Sequence, residues 1–189
     1  MRVVSGVFKG KKLFLPNDKN TRPLKDLVKE SIFNLIQHSG KINIGIKNSS
    51  ILDLFSGSGS FGIECLSREA KKVVFFENYP EALKVLERNI KSLKNIKNYE
   101  IIKDDCFNFF KSNKIINLKF DIIFMDPPYK DKNLNLMLDV IKNEKILKEN
   151  GILVVHRHKD AKDLIPNKLK IIEEKKYGLS KILFLSIFS

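Results

Sequence analysis

The residues best suited to chemistry are Asp126-Pro127-Pro128-Tyr129, which close the apolar run Phe120-Asp121-Ile122-Ile123-Phe124-Met125. Consecutive prolines stiffen the backbone and remove two N–H donors, so the carbonyls there are left unengaged. A carboxylate and a bare carbonyl together accept both protons of an exocyclic amine. That orientation pulls the nitrogen lone pair out of ring conjugation and toward an incoming electrophilic carbon. Tyr129 adds a flat face on which a base can stack, worth about 1–3 kcal/mol. Positioning, rather than a strong base, then supplies most of the rate. The purely structural use of the same residues is a rigid Pro-Pro turn ending a strand, and the strand context favours the chemical use.

A second group surrounds a glycine loop. Gly57-Ser58-Gly59-Ser60-Phe61-Gly62 has the form G-x-G-x-x-G, and Glu77 follows Gly57 by 20 residues. This spacing resembles a dinucleotide fingerprint, with backbone approach at the glycines and an acid for ribose hydroxyls. Glycine turns before helices also exist only to pack. Asp53, four residues before Gly57, argues against a pyrophosphate, which a carboxylate at the same mouth would repel. A carboxylate suits a ligand carrying an ammonium group. S-adenosylmethionine fits part by part, with Asp53 near its amino-acid end, Gly57 and Gly59 admitting it to the backbone, and Glu77 on the ribose diol. Asp104-Asp105-Cys106 ends a further strand. A carboxylate there can accept from an adenine amine or can cap a helix. Asp105 is favoured for adenine, since the apolar Cys106 beside it can line a base site.

These residues need strands that end on one side of a sheet. The apolar runs Ile51–Phe55, Lys72–Glu77, Tyr99–Ile102, Phe120–Met125 and Ile152–Val155 read as buried strands. Helical stretches separate them: 60–70, 80–93 with a stripe of Leu83, Leu86, Ile90 and Leu93, a short one around 107–111, and 134–147. Alternating strands and helices predict a parallel sheet covered on both faces, with ligands beyond the carboxyl ends of the strands. Two tail strands, 169–174 and 181–188, read as an antiparallel pair joined through Gly178. Ahead of this core lie a basic hairpin-like arm (1–20) and a helix within 21–40, with Pro23 at its entry. The polar stretch 41–50 is the best candidate for a boundary between that region and the core, 50–189.

Length and composition narrow the class. At 189 residues, one domain is expected. The hydrophobic fraction of 43% and the charged fraction of 30% are those of a folded globular chain and exclude a disordered one. No apolar run approaches the ~18 residues of a spanning helix, and the first residues are too polar for a secretion signal. Lys and Arg number 35 against 22 Asp and Glu, a net +13 that suits a polyanionic partner or a solvated lysine-rich surface. Cys65 and Cys106 form no metal or disulfide pattern, so a reduced cytoplasm is expected.

Taken together, Asp53-Leu54-Phe55-Ser56-Gly57-Ser58-Gly59 and Asp126-Pro127-Pro128-Tyr129 resemble a class I S-adenosylmethionine-dependent amino-methyltransferase. Arg2-Val3-Val4-Ser5-Gly6, Phe8-Lys9-Gly10-Lys11, Thr21-Arg22-Pro23, Val28-Lys29-Glu30-Ser31-Ile32-Phe33-Asn34 and Gly62-Ile63-Glu64-Cys65-Leu66-Ser67-Arg68 are similar to the bacterial 16S rRNA (guanine-N2)-methyltransferase family of the RsmD type. The resemblance implies a Rossmann-like, seven-stranded, mostly parallel sheet with helices on both faces, and methylation of a guanine N2 in the small ribosomal subunit. It implies that Asp126, Pro127 and Tyr129 handle the base, while Asp53, Phe55, Gly57, Gly59, Glu77, Asp105 and Cys106 hold the cofactor. Arg2, Lys9, Lys11 and Arg22 are implied RNA contacts, and Phe8 either stacks on RNA or packs in the core. A monomer without metal, membrane or obligate protein partner is expected. The chain departs from the family at His156-Arg157-His158, where an acidic residue more often follows the strand. Two histidines on one strand face with no third ligand make a poor metal site. An adenine-N6 methyltransferase uses the same Asp-Pro-Pro-Tyr chemistry, and a non-catalytic assembly factor needs neither it nor the glycine loop. A nicotinamide enzyme is disfavoured by Asp53.

Overall fold

The computed structural model describes residues 1–17, 23–112, 119–128 and 133–187. Arg22, expected to contact RNA, and Tyr129, expected to stack on the base, lie outside the described residues. The elements in chain order are α1 (Asp26–His38), β1 (Ser50–Leu54), α2 (Ser60–Ser67), β2 (Lys72–Phe76), α3 (Pro80–Lys91), β3 (Tyr99–Ile102), α4 (Cys106–Lys111), β4 (Phe120–Met125), α5 (Leu134–Asn143), β5 (Leu147–His158), β6 (Leu169–Tyr177) and β7 (Ser180–Ile187).

The seven strands form one sheet in the order β3-β2-β1-β4-β5-β7-β6. Pairing is parallel from β3 to β5, and β7 runs antiparallel to both its neighbours. Chain order reverses between β1 and β4, the switch point at which open α/β sheets bind ligands. Alternation along the strands divides the core. Ile51, Val73, Phe75, Ile122, Phe124, Val154, Ile182 and Phe184 face α1, α2 and α3, whereas Leu52, Leu54, Val74, Phe76, Ile123, Met125, Val155 and Leu183 face α4 and α5. Strands apolar on both sides are what a sheet covered by helices on both faces requires.

Helix ends fall earlier than periodicity alone suggests. The stretch 60–70 is helical only to Ser67, because Glu69 turns the chain at φ 64° toward β2. The stretch 134–147 stops at Asn143, where Lys145 at φ 51° redirects the chain and hands Leu147 to a longer β5. The segment 41–50 packs rather than loops free, with Ile42 and Ile46 buried in the first core cluster.

The N-terminal hairpin has one bridge, Arg2 to Lys12, flanked by Val3 N–H donating to the Lys11 carbonyl at 2.9 Å. It is docked on α2. The Glu64 carboxylate accepts the N–H groups of Val4 (2.7 Å) and Ser5 (2.9 Å), and Lys29 Nζ donates to the Arg2 carbonyl at 2.6 Å. Glu64 and Lys29 are fully buried, 3.7 Å apart, and burial pushes the Lys29 ammonium below its ordinary pKa. Gly6, at φ 80°, lies so close that a Cβ would stand 1.9 Å from the Ser67 carbonyl oxygen. Phe8 is half-buried and packs against the first core cluster.

Candidate active site

A cavity of about 350 Å³ opens at the switch point. Of the expected site residues, Asp53, Phe55, Gly57, Glu77, Asp126 and Pro127 line it together. They come from the ends of β1, β2 and β4.

Asp53 follows the alternation of β1 onto the α2 face. Its Oδ2 accepts the Gly62 N–H at 2.9 Å, within the first turn of α2, while its Oδ1 is buried without a partner. Burial, with smaller contributions from the carboxylates of Asp126 and Glu77, pushes its carboxyl up to about 8. An unpartnered buried oxygen facing a cavity is what an ammonium-bearing ligand would satisfy. Phe55 then adopts φ 60°, an uncommon conformation for a bulky residue, and swings the chain into the glycine loop. Gly57 (φ 57°) has open space where its Cβ would be, so the backbone is accessible from the cavity. Glu77 holds this loop in shape: its carboxylate accepts from Gly57 N–H at 2.6 Å, Asn78 N–H at 3.0 Å and Tyr79 N–H at 2.8 Å.

Gly59 serves packing. It is absent from the lining, and a Cβ there would meet Leu86 Cδ1 at 2.3 Å. Asp105 takes the capping role, accepting Asn108 N–H at 3.0 Å, and its other oxygen accepts from the Asn78 amide at 3.3 Å. Asn78 stands between Asp105 and the cavity as part of the lining. Cys106 is buried in the second core cluster. Arg2, Lys9 and Lys11 are exposed on the hairpin, away from the lining.

The Asp126 side contains residues that were not expected at the site from the sequence. Asp126 Oδ1 lies 2.8 Å from His156 Nδ1, and His156 Nε2 lies 2.9 Å from Ser180 Oγ. Arg157, on the opposite face of β5, clasps the Asp163 carboxylate through Nε and Nη2 and donates from Nη1 to the Pro128 carbonyl at 3.3 Å. The signal that could have found His156 is register. Met125 pairs with Val155 in the parallel ladder, so the residue after each stands side by side. Among the described residues no group of three or more His, Cys, Asp or Glu side chains could hold a metal ion.

The N-terminal region, expected as a unit apart from the core, also contributes to the wall. Pro16, Pro23 and Leu24 line the cavity. Asn89 of α3 ties this segment down, exchanging hydrogen bonds with both backbone groups of Phe14 and donating to the Ser58 carbonyl at 2.9 Å. Phe61 and Phe124, stacked at 4.1 Å, line the cavity as well.

A switch-point cavity with a glycine loop on one side and Asp-Pro-Pro on the other defines a class I methyltransferase fold. Solved structures similar to it agree. They include a putative methyltransferase, yhhF, from Escherichia coli (TM-score 0.83, 24% identity, covering 100% of this chain and 98% of that one) and a putative methylase, HI0767, from Haemophilus influenzae (0.78, 30%, 100% and 98%). Within that class, residues 1–186 match the family described as Conserved hypothetical protein 95, and the chain belongs to it. Relatives include the Ribosomal RNA small subunit methyltransferase D of Haemophilus influenzae, 32% identical over 95% of this chain and 90% of its own length. Another is the Putative rRNA methyltransferase YlbH of Bacillus subtilis, 34% identical over 96% of each. A more distant structural neighbour, a putative methyltransferase solved with SAH, shares the fold at TM-score 0.67 and 16% identity.

Proposed function

We propose that this protein methylates the exocyclic N2 amine of a guanine in 16S rRNA, using S-adenosylmethionine. Family membership supports rRNA methylation. The observation that carries the chemistry is the placement of Asp126 and Pro127 in one cavity with the unpartnered Asp53 Oδ1 and the open backbone at Gly57. Asp53, Phe55, Gly57 and Glu77 are the residues that would hold the cofactor, Asp53 toward its ammonium. Bound there, S-adenosylmethionine supplies an electrophilic methyl group.

The chain's own residues do the rest. Asp126 and the Pro127 carbonyl accept the two amine protons and so direct the nitrogen lone pair into the cavity. The proton the amine sheds on methylation passes to Asp126. Tyr129 stacks on the base, which must leave its own stack to enter, at a cost of a few kcal/mol unless already unpaired. Arg2, Lys9, Lys11 and Arg22 contact RNA phosphates. Residues 1–189 act as a single methyltransferase domain, a cytoplasmic monomer working on a small-subunit particle. Among the described residues no helix is long and apolar enough to cross a membrane.

The test is methyl transfer from labelled S-adenosylmethionine to small subunits lacking this modification, followed by mass mapping of the nucleoside. A single N2-methylguanosine in 16S rRNA is expected. N6-methyladenosine, or transfer to duplex DNA instead of subunits, would overturn the guanine assignment.

A further inference from the structure

We propose that His156 is a positioning residue for the transfer, aiming the Asp126 carboxylate at the substrate amine from a ring orientation that Ser180 sets. The inference rests on the role given to Asp126 above. His156 is 5% exposed and Ser180 is 4% exposed, so the ring and its contact with Ser180 are shielded from water. With Asp126 a carboxylate, its Oδ1 can only accept, so the proton of the ring sits on Nδ1 and points at it across 2.8 Å. Nε2 is then an acceptor, and the Ser180 hydroxyl donates to it across 2.9 Å. The carboxylate thereby selects the tautomer, the hydroxyl fixes the orientation of the ring, and the ring engages Oδ1 and leaves Oδ2 for the amine.

The three residues come from three chain segments. Asp126 follows β4, His156 lies on β5, and Ser180 opens β7, which inserts antiparallel beside β5 with His156 opposite Ile182. Alternation puts Asp126, His156 and Ser180 on the same face as Phe124, Val154 and Ile182, the face that carries Asp53. The neighbouring Arg157 holds the Pro128 carbonyl from the other face. Adjacent β5 residues thus grip the Asp126-Pro127-Pro128 turn at both ends. A metal role for His156 is unsuited to this arrangement, since both ring nitrogens are engaged.

Two near-isosteric variants separate aiming from space filling. His156→Asn retains an amide N–H close to the Nδ1 position, whereas His156→Gln reaches the Nε2 position and loses the donor to Asp126. Turnover is measured on small subunits beside the wild type and Asp126→Ala. We expect His156→Gln to lose about 100-fold in kcat, the scale of a misplaced catalytic group. His156→Asn should recover most of that loss, with KM for the subunit and cofactor affinity unchanged in both. Equal rates for the two variants, or a faster His156→Gln, would overturn the proposal, since a ring that only fills space makes no such distinction. If either variant melts below the assay temperature, Ser180→Ala replaces it, and an unchanged kcat there overturns the proposal too. An inactive wild type, or a fully active Asp126→Ala, would instead defeat the underlying role of Asp126.

Discussion

The two sides of the cavity are built by different means. On the β1–β2 side, carboxylates are held by backbone N–H groups: Gly62 donates to Asp53, while Gly57, Asn78 and Tyr79 donate to Glu77. On the β4–β5–β7 side, side chains hold side chains, with Asp126, His156 and Ser180 in one line and Arg157 on Asp163 in another. Backbone donors survive most substitutions in the loops that bear them, so the first side is a durable cradle. The second is as good as its least replaceable side chain. On the proposed function the difference also divides the labour: the cradle holds a ligand common to many reactions, and the side-chain array meets one particular acceptor.

The sharpest way to break this comparison is Asp126→Ala. Turnover should fall by about 10²–10⁴-fold, while cofactor affinity by calorimetry stays at the wild-type value. Loss of cofactor binding in that variant would mean the two sides are not separable. Asp53→Asn is its mirror. Removing a charged partner from a ligand ammonium costs about 1.5–3 kcal/mol, so affinity should weaken by about 10- to 100-fold while turnover at saturating cofactor is largely retained.

The same carboxyl makes the cradle pH-sensitive. Asp53 titrates at about 8 in the folded protein against an ordinary 3.8, with burial the leading cause. The folded chain therefore holds this proton more tightly than the unfolded chain, and stability of the ligand-free protein falls as pH rises between those values. Thermal melts across that range should show the fall, and Asp53→Asn should flatten it. A cationic ligand favours the ionised form, so its binding releases a proton and its affinity climbs toward pH 8 and then levels. A flat affinity profile would detach Asp53 from the ligand. The smallest effect is expected outside the cavity altogether. Replacing the exposed Lys9 and Lys11 by Ala should lower the slope of log affinity for rRNA against log salt by roughly 1.4, at about 0.7 per phosphate contact. Cofactor binding should be untouched.

Much of the cradle was legible in the chain because it is local. An apolar strand, a glycine loop and a helix follow one another within 51–67, and the residue after the next apolar strand, Glu77, closes the loop. Asp53 could be assigned to the mouth because it lies at the end of an apolar strand, four residues before Gly57. Two residues expected at the cofactor on this side have structural partners of their own. Gly59 packs against Leu86, and Asp105 spends one oxygen on the Asn108 N–H. The alternatives, packing and capping, were visible in the sequence, but choosing between them required knowing what stands opposite each residue.

The sequence by itself determined that five apolar strands alternate with helices, that a glycine loop and an Asp-Pro-Pro turn sit at strand ends, and that the surface is strongly basic. Those properties depend on residue type and spacing over one or two turns of chain. Only the tertiary structure decided which strand ends share a wall. His156 meets Asp126 across 30 residues because β4 and β5 run parallel in register, and Ser180 reaches His156 because β7 inserts antiparallel beside β5. Likewise Glu64 binds the hairpin from 60 residues away and brings the N-terminal region to the cavity rim. Such contacts leave no periodic trace, since the free energy that selects them comes from surfaces that meet only once the sheet has closed.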